Sequence, residues 1–134
     1  MNDKLLEPEV AARGAEIRRK VLGDTYVNKS YDVDEFSRPK VELSEYVWSK
    51  IWARPGLSLK MRSVANLSML TALNRPHELK LHVNGALNNG LTREEICEVL
   101  LQAGVYCGLP AAVDAFRVAQ EVFKERKDGQ LFRL

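Results

Sequence analysis

Prolines and glycines divide this chain into segments that have the apolar periodicity of α-helices. Proline suits the first turn of a helix, where its missing N–H is not needed, and glycine suits the left-handed position that ends one. Signals for β-hairpins are absent from the sequence. The helices predicted on this basis cover residues 8–22, about 39–52, 58–73, 76–88, 92–107 and 110 onward. The sequence therefore predicts an all-α protein, an antiparallel bundle of about six helices in a single domain over residues 1–134.

Further details of these helices follow from their local sequences. Thr92 and Glu95 form a T-x-x-E capping box at the start of the fifth predicted helix. Residues 24–36 are predicted as an irregular connection, and residues 64–73, which are apolar nearly all round, as a helix buried on most of its sides. The second predicted helix carries one apolar face, which consists of Leu43, Tyr46, Val47 and Ile51.

The fifth predicted helix is apolar on more faces than a single small core requires. Between Ile96 and Cys107 its strongly polar residues are Glu98 and Gln102. Such a helix either lies at the centre of its own chain or forms a subunit interface, because large apolar patches on small proteins usually mark association. The sixth predicted helix adds an apolar stripe of Ala112, Ala115, Phe116, Ala119, Val122 and Phe123. Together these patterns favour self-association.

The composition argues against several classes of function. Twenty basic and eighteen acidic residues give a net charge of +2 without a basic stripe, so a nucleic-acid partner is not expected. The longest uncharged run, residues 99–113, is interrupted by polar residues, glycine and proline and is shorter than the ~18 residues of a membrane span. Residues 1–10 carry four charges and no apolar signal-peptide core, which predicts a cytoplasmic protein without membrane contact.

The two cysteines of the sequence, Cys97 and Cys107, lie on one predicted helix. Ten residues rise about 15 Å along a helix, which is far beyond the reach of a disulfide, so both are expected to be reduced thiols. Two histidines are the other potential nitrogen or sulfur ligands for a metal ion. The cysteines and histidines do not have the spacing of a metal-binding motif. No metal site is predicted.

One histidine lies where it could carry chemistry. Leu79, His82, Val83 and Ala86 share the apolar face of the fourth predicted helix, and Glu78 lies one turn before His82. A carboxylate beside an imidazole raises the imidazole pKa, which would suit a general acid or base. The alternative is a core histidine whose ring bonds to a backbone carbonyl.

Several short segments in a fixed order carry a resemblance to a known family. They are residues 18–24 (RRKVLGD), 52–57 (WARPGL), 61–63 (MRS), 81–82 (LH), 88–90 (NNG), 92–96 (TREEI), 98–102 (EVLLQ) and 106–112 (YCGLPAA). From Gly14 through Glu125 the chain resembles the γ-carboxymuconolactone decarboxylases. That family shares its helical fold with the alkylhydroperoxidase D proteins, so the resemblance implies the same fold here.

Members of the peroxidase branch carry a C-x-x-C-x-x-x-H motif with a glycine eight residues after the histidine. His82 and Gly90 keep this histidine–glycine spacing, whereas Arg75 and Glu78 occupy the two cysteine positions. The departure argues against a dithiol peroxidase.

The resemblance implies cofactor-free decarboxylation of 4-carboxymuconolactone to the enol-lactone of 3-oxoadipate, in the protocatechuate branch of the β-ketoadipate pathway of aromatic degradation. By family analogy the oligomer is a trimer or a hexamer. His82 is then the candidate either to donate a hydrogen bond to the enolate or to deliver the proton, with Glu78 orienting it. Arg62 or Arg54 is the candidate to bind a substrate carboxylate through two hydrogen bonds. The other candidate substrate-binding residues are Trp52, Tyr106 and Cys107.

Most of these residues have a structural alternative. In these alternatives Arg54 is a surface residue of a turn, Arg62 faces solvent, and Trp52 packs in the core. Tyr106 and Cys107 would pack the fifth helix. Two rival functions also remain open: a thiol redox enzyme that relies on Cys97 or Cys107, and a non-catalytic subunit or small-molecule binding protein that keeps the fold.

Overall fold

Helices make up the regular structure in the computed structural model, which describes residues 6–31 and 34–126. Within these ranges there is no strand, which confirms the all-α prediction. The helices are α1 (Pro8–Leu22), α2 (Asp24–Ser30), α3 (Arg38–Tyr46), a π-helical segment (Val47–Trp52), α4 (Leu59–Ala72), α5 (Pro76–Asn88), α6 (Arg93–Cys107) and α7 (Leu109–Glu125). The chain divides into two compact units, Met1–Leu59 and Lys60–Leu134. The single-domain interpretation stays a prediction.

The first unit contains α1, α2, α3 and the π-helical segment. As predicted, α1 begins at Pro8 and ends before Gly23, whose φ of +84° suits glycine. The irregular connection expected from Asp24 onward is wrong, because Asp24–Ser30 forms α2. The Arg19 guanidinium donates to both Asp24 Oδ1 and Asn28 Oδ1 at 2.9 Å, which ties this short helix to α1.

The π-helical segment sets the core of the first unit. Trp48 and Trp52 stack with ring centroids 4.8 Å apart and pack with Val21, all three buried. A π-helix has a wider turn than an α-helix, so different residues face inward. The four residues of the apolar face predicted for this helix are exposed: Leu43, Tyr46, Val47 and Ile51.

Gly14 of α1 lies directly against the π-helical segment. A Cβ atom added at Gly14 would lie 2.7 Å from the Ser49 backbone N and Cα atoms. Atoms at that distance overlap, so glycine is required for the two helices to approach this closely.

The second unit contains most of α4 together with α5, α6 and α7. Leu67 of α4 packs into a core shared by α5, α6 and α7, whose other buried members are Leu79, Val83, Ala86, Leu91, Ile96, Leu100, Ala115, Ala119 and Val122. The predicted capping box is present: Glu95 N donates to Thr92 Oγ1 and Thr92 N donates to Glu95 Oε1, each at 3.0 Å. The predicted stripe of α7 packs against its own chain, since its alanines and Val122 are buried, so this stripe does not itself support the predicted association.

Helix α4 is buried along one face rather than on most of its sides, so that prediction is wrong. Its buried residues are Ser63, Leu67 and Thr71. Met61, Met69 and Leu73 are exposed. Within the described residues, no helix is long and apolar enough to cross a bilayer.

Candidate functional site

Helix α5 places His82 at the border of the core of the second unit. The predicted apolar face is confirmed, because Leu79, Val83 and Ala86 are buried. His82 lies on the same side of the helix and is half-buried. The imidazole is therefore partly withdrawn from water without being enclosed by apolar side chains.

Asn66 of α4 contacts the His82 ring. The Asn66 Nδ2 atom lies 3.4 Å from His82 Nδ1, within hydrogen-bonding distance. Two other polar residues interrupt the same apolar stretch, but each donates to a carbonyl of its own helix, Ser68 to Val64 and Thr71 to Leu67. Of these three side chains, Asn66 is the one that reaches the neighbouring helix.

A second hydrogen bond joins the same two helices. Asn89 Nδ2 donates to the Ser63 Oγ atom at 2.9 Å, and Ser63 is fully buried. Ser63 lies one turn before Asn66 and bonds a residue two turns after His82, so α4 and α5 run antiparallel at this contact. We call these four residues, Ser63, Asn66, His82 and Asn89, the polar seam. Sequence analysis missed Ser63, Asn66 and Asn89; the available signal was polar residues within otherwise apolar helices.

Burial lowers the pKa of His82 below its ordinary value of 6.5. The Glu78 carboxylate acts in the opposite direction and raises the pKa, but its effect is smaller than that of burial. Glu78 is exposed, so water screens its charge. The expectation that Glu78 would leave His82 with a raised pKa is therefore wrong. At neutral pH the imidazole is uncharged.

Arg62 lies on α4 one turn before Asn66 and beside Ser63. It is half-buried, which differs from the solvent-facing alternative. The second unit thus brings Arg62, the His82 ring and Glu78 onto two consecutive helices that contact each other through the polar seam. These two helices carry a half-buried cation, an uncharged imidazole and an exposed carboxylate.

Trp52 and Arg54 belong to the first unit. Trp52 is buried against Trp48, in agreement with its core alternative. Arg54 is exposed and lines a shallow cavity of about 360 Å³, whose other charged side chains are Arg13, Lys50 and Glu9. Three cations against one carboxylate leave this cavity with an excess of positive charge, which suits an anion in general terms.

Tyr106 and Cys107 lie at the C-terminal end of α6. Tyr106 is 81% exposed and Cys107 is also exposed, so neither packs α6 as the alternative proposed. Neither side chain makes a hydrogen bond or ring contact to the described residues. Both cysteines are free thiols, and Cys97 is half-buried.

A cavity of about 520 Å³ lies between the α4–α5 turn and α7. It is lined by His77 rather than His82. Among its charged side chains, Lys80 pairs with Glu121 and Arg117 pairs with Asp114, whereas Arg75 forms no ion pair with the described residues. In the part of the chain that the structure describes, no three His, Cys, Asp or Glu side chains are grouped for a metal ion.

Comparison with known proteins identifies relatives that span most of the chain. The 4-carboxymuconolactone decarboxylase of Acinetobacter baylyi is 38% identical over 115 residues, 84% of this chain and 86% of that protein. The nitrosuccinic acid decarboxylase of Metarhizium robertsii is 41% identical over 117 residues, 86% of this chain and 82% of that protein. An uncharacterized 15.0 kDa protein of Paracoccus denitrificans is 33% identical over 90 residues, about two thirds of each chain. Residues 42–121 match the sequence model of the Carboxymuconolactone decarboxylase family, and the chain belongs to this family.

Proposed function

We propose that this protein is a carboxy-lyase that releases CO₂ from a small dicarboxylate, and that 4-carboxymuconolactone is its substrate. The observation that carries the proposal is the pair of relatives with named activities, because both are decarboxylases and each aligns with more than four fifths of the chain. The product of this proposed reaction is the enol-lactone of 3-oxoadipate, and we infer from it a role in aromatic degradation by the β-ketoadipate pathway.

The substrate supplies its own electron sink for this reaction. When the C–C bond to the leaving carboxylate breaks, its electron pair passes through the ring double bond to the lactone carbonyl oxygen. CO₂ leaves and a dienolate remains, which then takes a proton on carbon. The protein has to bind carboxylates, stabilise the oxyanion and direct protonation, and none of these tasks requires an added organic cofactor.

His82 supplies the hydrogen bond to the developing oxyanion. An uncharged imidazole is a good hydrogen-bond donor, and triosephosphate isomerase uses a neutral histidine as its electrophile in this way. A half-buried donor stabilises the oxyanion more than a solvated donor does, because fewer water molecules compete for the oxyanion. Glu78 raises the pKa of His82 and so limits the effect of burial.

Arg62 holds a substrate carboxylate. Its planar guanidinium can bind a carboxylate through two parallel hydrogen bonds, which fixes the position of the anion as well as attracting it. Support comes from its half-buried position on α4, one turn from the residue that contacts His82. The cation also offsets the repulsion between Glu78 and an anionic substrate.

Nitrosuccinic acid is the second candidate substrate, favoured by the relative that is 41% identical. Loss of CO₂ from the carbon that bears the nitro group sends the electron pair to the nitro oxygens. The intermediate is again an oxygen-centred anion on a molecule that keeps another carboxylate. The same donor and the same cation would serve either substrate.

The test is to supply each dicarboxylate separately to the purified protein, with and without a chelator. CO₂ release is measured, and the product is identified by NMR. We expect turnover of 4-carboxymuconolactone with the higher kcat/KM and no effect of the chelator. A higher kcat/KM for nitrosuccinic acid would make that compound the substrate instead. If neither compound is turned over, the proposal is rejected.

The thiol redox alternative is tested with the same assay. Replacing Cys97 and Cys107 by alanine removes both thiols of the sequence. We expect the double variant to keep most of its decarboxylation. Loss of turnover in a folded double variant would favour a reactive-cysteine mechanism.

A further inference from the structure

We propose that Asn66 is a positioning residue that holds His82 as the tautomer with its proton on Nε2. The catalytic use of this tautomer rests on the proposed function, whereas the tautomer itself can be measured without any substrate.

The chemistry of the two contacting atoms carries the assignment. The Asn66 side-chain nitrogen can only donate hydrogen bonds, and it lies 3.4 Å from His82 Nδ1. A hydrogen bond between these two atoms therefore has Nδ1 as its acceptor, and in this arrangement Nδ1 carries no proton. A neutral imidazole has one ring proton, which is consequently on Nε2.

The surroundings of the pair support a fixed arrangement. Asn66 and His82 are both half-buried, so water competes less for their hydrogen bond than at the surface. The second bond of the polar seam, from Asn89 to the buried Ser63, fixes the register of α4 against α5. Glu78 lies on the same helix as His82 and is exposed, and its charge raises the pKa of the ring.

The tautomer decides whether the ring can assist the reaction. With the proton on Nε2, this nitrogen donates to an oxygen that gains negative charge. With the proton on Nδ1, Nε2 would present a lone pair to the same oxygen and repel it. In the serine protease triad, a substitution that leaves the geometry intact but reverses the histidine tautomer lowers kcat by about 10⁴.

The two histidines of the chain provide an internal comparison. His82 is half-buried on α5, whereas His77 is exposed on the same helix. In protein labelled with ¹⁵N-histidine, long-range ¹H–¹⁵N correlation spectra recorded well above pH 6.5 distinguish the two tautomers of each ring. We expect His82 to show the Nε2–H form and His77 to exchange between forms. An Nδ1–H form or a mixture at His82 overturns the proposal.

Asn66→Asp tests the cause of the tautomer. A carboxylate can only accept, so it pulls the ring proton to Nδ1. We expect the His82 spectrum to change to the Nδ1–H pattern and kcat to fall by about 10²-fold, as for the loss of one oxyanion donor, with a smaller change in KM.

Asn84→Asp is the matched control. Asn84 lies on α5, is also half-buried, and donates to the Lys80 carbonyl oxygen instead of to His82. It should leave the His82 tautomer unchanged; if both variants change it equally, added charge explains the effect and the proposal is wrong. If Asn66→Asp does not fold, the spectrum of the unmodified protein decides. An Nε2–H tautomer without turnover of either dicarboxylate would reject the proposed function and leave this inference standing.

Discussion

Burial and a nearby carboxylate act on the protonation of His82 in opposite directions. Burial penalises the charged ring, and the exposed Glu78 carboxylate, one turn away, compensates only in part. The result is an imidazole whose pKa lies below 6.5. Such a ring is a hydrogen-bond donor or a base at neutral pH, rather than a strong acid.

We expect His82→Asn to fold and to lose roughly 10²–10⁴ in kcat, the usual size of a proton-transfer or hydrogen-bond contribution by a positioned side chain. Asparagine keeps an amide donor but cannot take up a proton, and its shorter side chain does not reach as far. Steady-state CO₂ release measures the effect. His77→Asn, on the exposed side of the same helix, is the control and should keep normal activity. Near-normal kcat in His82→Asn would make His82 a structural residue.

The pKa of His82 should fall further in Glu78→Gln, because the carboxylate that raises it is gone. NMR titration of both histidines measures this, with His77 as reference. A histidine with a lowered pKa binds fewer protons in the folded than in the unfolded chain. The contribution of His82 to the free energy of unfolding is therefore fully present above pH 6.5, and it is lost as the pH falls through the pKa of the folded state. A raised pKa in Glu78→Gln would contradict this electrostatic account.

Part of this site could be predicted from the sequence and part could not. His82 and Glu78 share one helix, so their separation follows from helical geometry alone. Asn66 belongs to another helix, and its contact with His82 depends on how α4 packs against α5. The strength of burial at His82 depends on the same packing, which is why the direction of its pKa shift was not predicted correctly.

At the scale of the elements, helix ends were predictable and helix faces less so. Pro8, Gly23 and the Thr92–Glu95 capping box act within a few residues, and the structure has each of them at a helix end. The α2 helix and the π-helical segment depend on contacts with α1. Local periodicity cannot report such contacts, so the apolar face that it predicted for residues 43–51 does not coincide with the core around Trp48 and Trp52.

Gly14→Ala should destabilise the protein by about 1–3 kcal/mol, the usual cost of overpacking. The added Cβ would lie 2.7 Å from backbone atoms of Ser49, which cannot move aside as a flexible side chain can. Gly56→Ala is the matched control, because no atom lies within 4 Å of its added Cβ and Gly56 lacks a positive φ. Denaturant midpoints compare the two variants. Equal midpoints would show that α1 and the π-helical segment can separate without cost.

At the scale of the whole molecule, apolar side chains of the second unit remain outside its core. Val105 and Tyr106 are each 81% exposed and Leu109 is 73% exposed, at the junction of α6 and α7. We call these three residues the α6–α7 corner. They contribute little to folding of the single chain, and surface of this kind is typical of association sites.

Light scattering should therefore give a mass several times the 15.2 kDa of one chain, with a trimer or hexamer expected by family analogy. Val105→Glu together with Leu109→Glu should reduce this mass, because carboxylates in an apolar contact remain desolvated and unpaired. Gln120→Glu, on the exposed side of α7, adds the same kind of charge away from the corner and should leave it unchanged. A single-chain mass at micromolar concentration would contradict the prediction.

The exposed apolar corner also has a consequence for heat resistance. If copies of the chain cover it, only the folded protein can associate, and mass action then stabilises folding as the total concentration rises. The melting temperature would then depend on protein concentration as well as on the sequence, and it would be higher in concentrated than in dilute samples. The double glutamate variant should lose this dependence while its own core stays intact. The thermal tolerance of the enzyme in a cell would then be set partly by how much of it the cell makes.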